Sequence, residues 1–337
     1  KNNCVIDTRL ALALEEHALA LPRDGVIAVV NPPADAVLDI LKDYDIEIVD
    51  GFKPSHDAWR ARGFNATVSM VNEYSAVIVC LPRAKADARA MIADAMHATA
   101  GPVLIDGQKT DGVDSLLKNM RKLLPVSGPI SKAHGKLFWC AHPMPDAFED
   151  WRAGPQLTTG GFWTAPGVFS ADAVDPASAL LVSSLPDTLG RQVGDFGAGW
   201  GYLSAHILTR ESVEAVHLVE ANHMALECAR RNVTDPRAHY HWSDVGAWHP
   251  PQKLDAVVMN PPFHKGRAAD PGLGQEFVRA AAGALTTGGS LWMVANRHLP
   301  YEETLQRHFA KVLDVGGDNR FKLFHASRPV RTAGRRG

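Results

Sequence analysis

Short apolar runs alternate with helix-like segments along the first half of the chain. The apolar runs lie at 25–30, 46–49, 76–81 and 102–105, and the alanine-rich segment 83–99 spaces its apolar residues as a helix does. Continuous apolar runs are typical of strands that are buried on both faces. The pattern therefore predicts a mostly parallel β-sheet with helices on both faces.

The second half repeats this plan and adds a different ending. Its apolar runs lie at 193–196, 215–219, 238–242, 254–259 and 290–295. The segments 311–315 and 320–325 then flank Gly-Gly-Asp-Asn, which predicts an antiparallel hairpin. A reversed last strand on a parallel sheet is the layout of Rossmann-like methyltransferases, and a plain dinucleotide fold does not require it. We therefore expect an α/β protein with two mostly parallel sheets, helices on both faces of each sheet, and a C-terminal antiparallel hairpin.

Glycine and proline are concentrated between residues 125 and 165, so we place the join between the two halves there. Asp175 followed by Pro176 is typical of a helix start, with Asp175 as the N-cap. We divide the chain into two domains, residues 1–150 and residues 151–337.

Bulk composition is that of an ordinary globular protein, with 337 residues, 46% hydrophobic and 21% charged. The sequence has neither an apolar stretch near the ~20 residues of a membrane span nor the layout of a secretory signal, so we expect a cytoplasmic protein. The four cysteines are widely separated, which argues against a zinc ribbon or a disulfide framework. The histidines show no metal-ligand spacing, and we expect no metal. A formal net charge of −2 gives no signal for nucleic acid.

A glycine-rich turn, Asp195-Phe196-Gly197-Ala198-Gly199, follows the first predicted strand of the second half. Its glycines allow a ligand to approach the backbone at the carboxyl edge of the sheet. A dinucleotide site is the first alternative, but its fingerprint has a third glycine where this chain has Tyr202 and calls for no acid at Asp195. S-adenosylmethionine carries a cationic aminoacyl end that a carboxylate can balance. We therefore predict contacts to this methyl donor from Asp195, Gly197, Ala198 and Gly199.

Two further acids end the next strands. Glu220 closes the second strand, where a carboxylate can accept both ribose hydroxyls, and Asp244 follows the third, where it can bind the adenine amino group. In the alternative interpretation each acid only caps the helix that follows. Because three successive strand ends carry an acid, we predict that Glu220 and Asp244 bind the donor together with Asp195.

The tetrapeptide Asn260-Pro261-Pro262-Phe263 follows the fourth strand. The Asn260 side chain and the Pro261 backbone offer two carbonyl oxygens, which can hold the hydrogens of a planar amine such as the guanine exocyclic nitrogen. Both prolines lack an N–H that would compete, and Phe263 can stack on the target ring. A base within a duplex cannot reach such a pocket, so the target must be unpaired or flipped. We predict catalytic roles for Asn260, Pro261, Pro262 and Phe263, with Asn260 also bordering the donor.

A second Asn-Pro-Pro sequence, Asn31-Pro32-Pro33-Ala34, provides an internal comparison. It follows the first strand of its half, no Asp-x-Gly-x-Gly turn precedes it, and Ala34 cannot stack on a ring. We interpret it as a turn, which is why we predict no donor site in the first half.

At these positions the chain resembles the ribosomal RNA guanine-N2 methyltransferase family usually called RsmC, and its large-subunit relative RlmG. The matching segments are 166–170 (Pro-Gly-Val-Phe-Ser), 195–199, 260–264, 294–296, 299–301 and 320–322. The resemblance implies two tandem Rossmann-like class I methyltransferase domains. Residues 1–150 are then a degenerate methyltransferase-like domain without a cofactor site, and residues 151–337 are the catalytic domain that binds S-adenosylmethionine and leaves S-adenosylhomocysteine as the product. It implies a guanine of 16S rRNA in an assembled or partly assembled 30S subunit as the acceptor. It also implies substrate contacts by Phe169, His264, Arg320 and Lys322.

Three alternatives stay open at this point. The acceptor can be 23S rRNA, or the side-chain amide of a protein glutamine, although glutamine methyltransferases usually carry Tyr where this chain has Phe263. The third alternative is an RNA-binding assembly factor with a vestigial donor site, against which the intact acids and glycines count. Trp200 departs from the family pattern, so it either narrows the donor pocket or packs against the linker. We expect a monomer.

Overall fold

Residue contacts divide the chain into two units, residues 1–154 and residues 155–337. The structure is a computed structural model. It describes residues 6–16, 19–70, 73–262, 264–265, 268–269 and 271–330.

The first unit is an α/β sandwich of helices on a mixed sheet. Its strands are β1 (Val26–Val30), β2 (Asp45–Val49), β3 (Asn65–Thr67), β4 (Ala76–Cys80), β5 (Val103–Gln108), β6 (Ser127–Lys132) and β7 (Gly135–Cys140). Its α-helices are α1 (Ile6–Glu16), α2 (Lys53–Ala61), α3 (Lys85–Ala98) and α4 (Val113–Met120). Short 3-10 helices lie at Asp39–Leu41, Lys109–Asp111 and Pro145–Trp151. The strand order is β3-β2-β1-β4-β5-β7-β6, in which β7 runs antiparallel to both β5 and β6.

The apolar pattern explains these elements. Strand β4 is buried along its whole length, as expected for a central strand with helices on both faces. Helix α4 buries Val113, Leu116, Leu117 and Met120, which recur at helical spacing and form its single apolar face.

The hairpin of β6 and β7 occupies the first part of the segment 125–165, within which we placed the join between the two halves. Glycine and proline are concentrated in this segment, yet residues 127–140 form strands that complete the first sheet. Leu137 and Phe138 are fully buried, and this burial outweighs the turn-forming residues around them. The contact boundary falls after Gly154.

The second unit contains the remaining elements. Its strands are β8 (Gln156–Leu157), β9 (Trp163–Thr164), β10 (Gln192–Phe196), β11 (Ala215–Glu220), β12 (Ala238–Trp242), β13 (Leu254–Met259), β14 (His264–Lys265), β15 (Ala268–Ala269), β16 (Leu285–Asn296), β17 (Phe309–Gly317) and β18 (Phe321–Pro329). Its helices are α5 (Pro176–Ser184), α6 (Tyr202–Ile207), α7 (His223–Asn232), α8 (Pro271–Ala284) and α9 (Glu302–His308).

The main sheet of the second unit has the order β12-β11-β10-β13-β16-β18-β17, which repeats the order of the first unit. Strands β10 to β13 and β16 pair in parallel, whereas β18 runs antiparallel to β16 and β17. The predicted α/β fold with tandem parallel sheets and a C-terminal antiparallel hairpin is confirmed. None of the helices in the described part of the chain has the length and apolar character needed to cross a membrane.

Helices cover both faces of this sheet. Leu181 of α5, Leu203 of α6 and Leu226 of α7 share one buried cluster, and Val278 of α8 and Leu305 of α9 share the other. Because the central strands are parallel, their carboxyl ends meet at one edge, where ligands bind in folds of this type.

Candidate active site

The glycine-rich turn leaves the carboxyl end of β10 and presents an open side. Gly197 and Gly199 have φ angles of 73° and 55°, a region that favours glycine. The Gly197 amide donates to the Val219 carbonyl at 2.9 Å, and the Gly199 amide donates to the Glu220 carboxylate at 2.8 Å. A Cβ atom added at Gly199 would meet no heavy atom within 4 Å. The turn is therefore tied to β11 on one side and faces open space on the other.

Asp195 lies beneath this turn and is fully buried. Its Oδ2 accepts a hydrogen bond of 2.6 Å from the Ser204 hydroxyl of α6. Its Oδ1 is buried and has no hydrogen-bond partner among the described residues. Burial raises the pKa of Asp195 to about 7. Because a buried acceptor without a partner costs free energy, a hydrogen-bond donor from a ligand would be stabilised at this oxygen.

Glu220 and Asp244 are held by backbone amides of the residues that follow them. The Glu220 carboxylate accepts from the Asn222 amide at 2.7 Å, and Asp244 accepts from the Gly246 amide at 2.9 Å. Burial raises the pKa of Glu220. Each carboxylate oxygen can accept a second hydrogen bond, so Glu220 and Asp244 can hold their local turns and bind a ligand at the same time.

These features fit S-adenosylmethionine. The orphaned oxygen of Asp195 suits a cationic amine, the open side of Gly199 leaves room for a ligand, and Glu220 offers acceptor sites for hydroxyls. Among the residues that the structure describes, no three His, Cys, Asp or Glu side chains are grouped as metal ligands.

Asn260 follows β13 directly beside the turn. Phe196 pairs with Met259 in the sheet, so the glycine turn and the tetrapeptide leave neighbouring strands at the same level. A Cβ atom at Gly197 would lie 4.0 Å from the Cδ of Pro262. The structure thus brings the two motifs together, as the sequence predicted.

The amide of Asn260 is oriented by the first turn of α5. Its Nδ2 donates to Asp175 Oδ2 and to Ser178 Oγ, each at 2.9 Å. The same Asp175 oxygen accepts the Ser178 backbone amide at 2.8 Å, which is the predicted N-cap. Because both amide hydrogens are used, Oδ1 is the group that Asn260 can offer to an acceptor substrate.

Sequence reasoning missed this second role of Asp175 and the role of Ser178. The N-cap signal was visible because it is local. The contacts to Asn260 join residues 85 and 82 positions apart, which no local pattern encodes.

A cavity of about 150 Å³ opens beside Asn260 and Pro261. Phe169, Asn296 and Phe321 also line it, and the Phe169 side chain is exposed. The two phenylalanine rings and the Asn296 amide, together with the carbonyl oxygens of Asn260 and Pro261, suit a flat ring with polar groups.

The side chains of Arg320 and Lys322, two predicted substrate residues, make different contacts. The Arg320 guanidinium lies exposed over the Phe321 ring, 5.0 Å from its centroid. The Lys322 ammonium instead forms an ion pair with Glu302. Phe263 and the side chain of His264 lie outside the described residues.

Trp200 is buried and packs against Phe162, with ring centroids 4.7 Å apart. This contact agrees with the second of our two interpretations, since Phe162 belongs to the segment 125–165 that we took as the connection.

The first unit has the same strand frame but a different turn. Val30 pairs with Val49 as Phe196 pairs with Val219. Asn31 has a φ of 54°, and its backbone amide donates to the Val49 carbonyl at 2.8 Å. It therefore occupies the position that Gly197 has in the second unit.

Counting from that register, Pro33 occupies the position of Gly199. Proline has no N–H, so it cannot make the hydrogen bond that Gly199 makes to Glu220, and its ring fills space that glycine leaves open. Val79 pairs with Val30 as Met259 pairs with Phe196, so Cys80 stands where the second unit has Asn260.

The fold and this site define a class I methyltransferase that uses S-adenosylmethionine. The family model for the methyltransferase small domain matches residues 159–325. The ribosomal RNA small subunit methyltransferase C of Shewanella sp. (strain MR-4) is 30% identical over 318 residues, covering 88% of this chain and 93% of the relative. That of Hahella chejuensis is 29% identical over 334 residues, covering 90% and 94%.

Among solved structures, the T. thermophilus 16S rRNA N2 G1207 methyltransferase (RsmC), in complex with AdoMet and guanosine, matches with a TM-score of 0.78. It shares 26% identity and covers 92% of this chain and 90% of its own. The chain belongs to the ribosomal RNA small subunit methyltransferase C family.

Proposed function

We propose that this chain transfers the methyl group of S-adenosylmethionine to the exocyclic N2 amine of a guanine in 16S rRNA. The observation that carries the proposal is the placement of Asn260, which lies beside the donor turn, is oriented by Asp175 and Ser178, and borders the ring-sized cavity. The names of the relatives favour 16S over 23S rRNA and over a protein glutamine.

The donor-binding residues are assigned by position. Asp195 Oδ1 would hold the aminoacyl end, Glu220 the ribose and Asp244 the adenine, while the backbone of Gly197, Ala198 and Gly199 allows close approach. When bound, S-adenosylmethionine supplies a methyl group on a sulfonium, a good leaving group, so the reaction demands no strong general base from the chain.

The acceptor-binding residues position the amine. Asn260 Oδ1 and the Pro261 carbonyl would accept its two hydrogens and direct the nitrogen lone pair toward the donor turn. Pro262 stiffens the loop, Phe263 would stack on the base, and Phe169 borders the same cavity.

The remaining parts of the proposal concern context. The first unit, with Pro33 and Cys80 at the key positions, would lack a donor site and would support folding or RNA docking. We place the enzyme, as a monomer, in the cytoplasm, where it would act on an assembled or partly assembled 30S subunit.

The test is Asn260→Ala, assayed for methyl transfer to 30S subunits from cells that lack the enzyme. We expect transfer to be abolished while the calorimetric affinity for S-adenosylhomocysteine changes little, because the side chain holds the acceptor. The matched control is Asn31→Gly, which removes the asparagine side chain of the other Asn-Pro-Pro sequence at a backbone angle that glycine tolerates. Retained transfer by Asn260→Ala would refute the assignment.

A further inference from the structure

A second cavity adjoins the one at Asn260. It has a volume of about 490 Å³ and is formed where the end of β16 meets the turn between β17 and β18. Arg297, His298 and Arg320 line it, and it shares Asn296 and Phe321 with the first cavity. The two cavities are therefore neighbours separated by shared side chains.

Arg297 is fixed in place at this second cavity. Its Nε donates to the Asp318 carbonyl at 2.8 Å and its Nη2 donates to the Phe321 carbonyl at 3.1 Å. Its backbone amide donates to the Arg320 carbonyl at 2.8 Å. A guanidinium has five N–H hydrogens, so three remain after these two side-chain bonds. Arg297 is a preorganised cation with hydrogen-bond donors to spare.

Arg320 adds a second cation, and the nearby acids do not cancel the pair. Asp318 is the one carboxylate beside them among the described residues: its Oδ1 accepts the backbone amides of Arg320 and Phe321 at 2.7 and 2.8 Å, and its Oδ2 lies 3.8 Å from the Arg320 guanidinium. Glu302, on α9, is paired with Lys322. Two guanidinium groups thus face one carboxylate, which leaves the cavity wall positive.

We propose that this second cavity binds a phosphodiester group of the RNA next to the target guanine. The inference rests on the proposed function, because it takes the cavity at Asn260 as the base pocket. A base and its adjoining phosphate are joined by one sugar, so two pockets that share Asn296 and Phe321 can be filled by one nucleotide. Guanidinium groups match phosphate oxygens in paired hydrogen bonds. Such contacts hold the strand in register, while the base pocket provides selectivity.

The test uses Arg297→Gln and Arg320→Gln, with methyl transfer to 30S subunits measured at several salt concentrations. We expect each variant to raise KM for the subunit about tenfold and to leave kcat nearly unchanged. The slope of log(kcat/KM) against log[salt] should become shallower by ~0.7 to 0.9 for each lost phosphate contact. A purely structural role would not move this slope.

Arg191→Gln is the matched control. Arg191 is exposed and pairs with Glu214. It directly precedes β10, so it lies where the parallel strands begin, whereas the candidate site lies where they end. Removing this charge should leave KM and the salt slope as in the wild type. Because Arg297 also supports the turn through its two carbonyl contacts, Arg320→Gln provides the variant with less structural risk.

A second measurement compares guanosine with its 3′- and 5′-monophosphates as competitors of the reaction. The wild type should bind one monophosphate more tightly than guanosine, and Arg320→Gln should lose that preference. Unchanged KM, salt slope and phosphate preference in both variants would overturn the phosphate site but leave the proposed function standing. No transfer to RNA by the wild type would overturn both.

Discussion

The orientation of Asn260 depends on the start of helix α5, and two substitutions separate this dependence from helix stability. Ser178→Ala removes one acceptor of the Asn260 amide but keeps the backbone amide that Asp175 caps. Asp175→Ala removes the other acceptor and the N-cap together. Asp175→Asn keeps an oxygen that can accept both bonds.

The expected magnitudes follow from the chemistry of these bonds. A neutral hydrogen bond contributes ~0.5–1.5 kcal/mol and one to a charged group ~1.5–3 kcal/mol, and 1.4 kcal/mol is about tenfold in rate. We expect Ser178→Ala to lower kcat about 3- to 10-fold, and Asp175→Ala about 10- to 100-fold. Asp175→Ala should also lose about 1 kcal/mol of stability with the cap. Asp175→Asn replaces the charged acceptor with a neutral one, so it should recover about 3- to 10-fold of this loss.

The assay is single-turnover methyl transfer to 30S subunits at saturating donor, with donor affinity measured by calorimetry. The rate should fall while donor affinity and KM stay near the wild-type values, since the acceptor amine is what becomes misaligned. If Asp175→Ala unfolds earlier but transfers methyl at the wild-type rate, the positioning role is refuted. An Asp175→Asn variant that has normal stability but is as slow as Asp175→Ala would also contradict it.

Two further predictions concern the donor turn. Asp195 has a pKa of about 7 when buried and about 4 when unfolded, so the folded state binds its proton more tightly and loses stability as pH rises between these values. In urea titrations without donor, the free energy of unfolding of the wild type should fall by up to about 4 kcal/mol more than that of Asp195→Asn between pH 4 and pH 8. The same pH dependence of unfolding in both proteins would argue against this. Gly199→Ala and Gly63→Ala both place a Cβ in open space at a positive φ and should each cost ~1–2 kcal/mol. Only Gly199→Ala should weaken donor binding in calorimetry, by about tenfold or more, and equal affinities would exclude the open side of the turn as the donor site.

Strand positions were predictable because burial on both faces produces continuous apolar runs. The predicted segments 238–242 and 254–259 match β12 and β13 residue for residue. The hairpin of β6 and β7 was missed since its apolar residues are interrupted by glycine and proline. In that hairpin tertiary burial decides the structure, and local composition does not.

The site was predictable to the extent that topology alone assembles it. Parallel strands bring their carboxyl ends to one edge, so residues that end β10, β11 and β13 meet there whatever lies between them. The support of Asn260 by Asp175 and the anchoring of Arg297 by the hairpin turn were not predictable. Both depend on where a helix or a turn packs against a distant strand, and single-sequence patterns carry no record of such contacts.

The most direct test of the central claim is mass-spectrometric mapping of rRNA after reaction of the purified protein with 30S and 50S subunits from cells that lack it. The account predicts one new N2-methylguanine in 16S rRNA, made by the wild type and not by Asn260→Ala. A methyl group in 23S rRNA, on another atom of guanine, or in a ribosomal protein would contradict it.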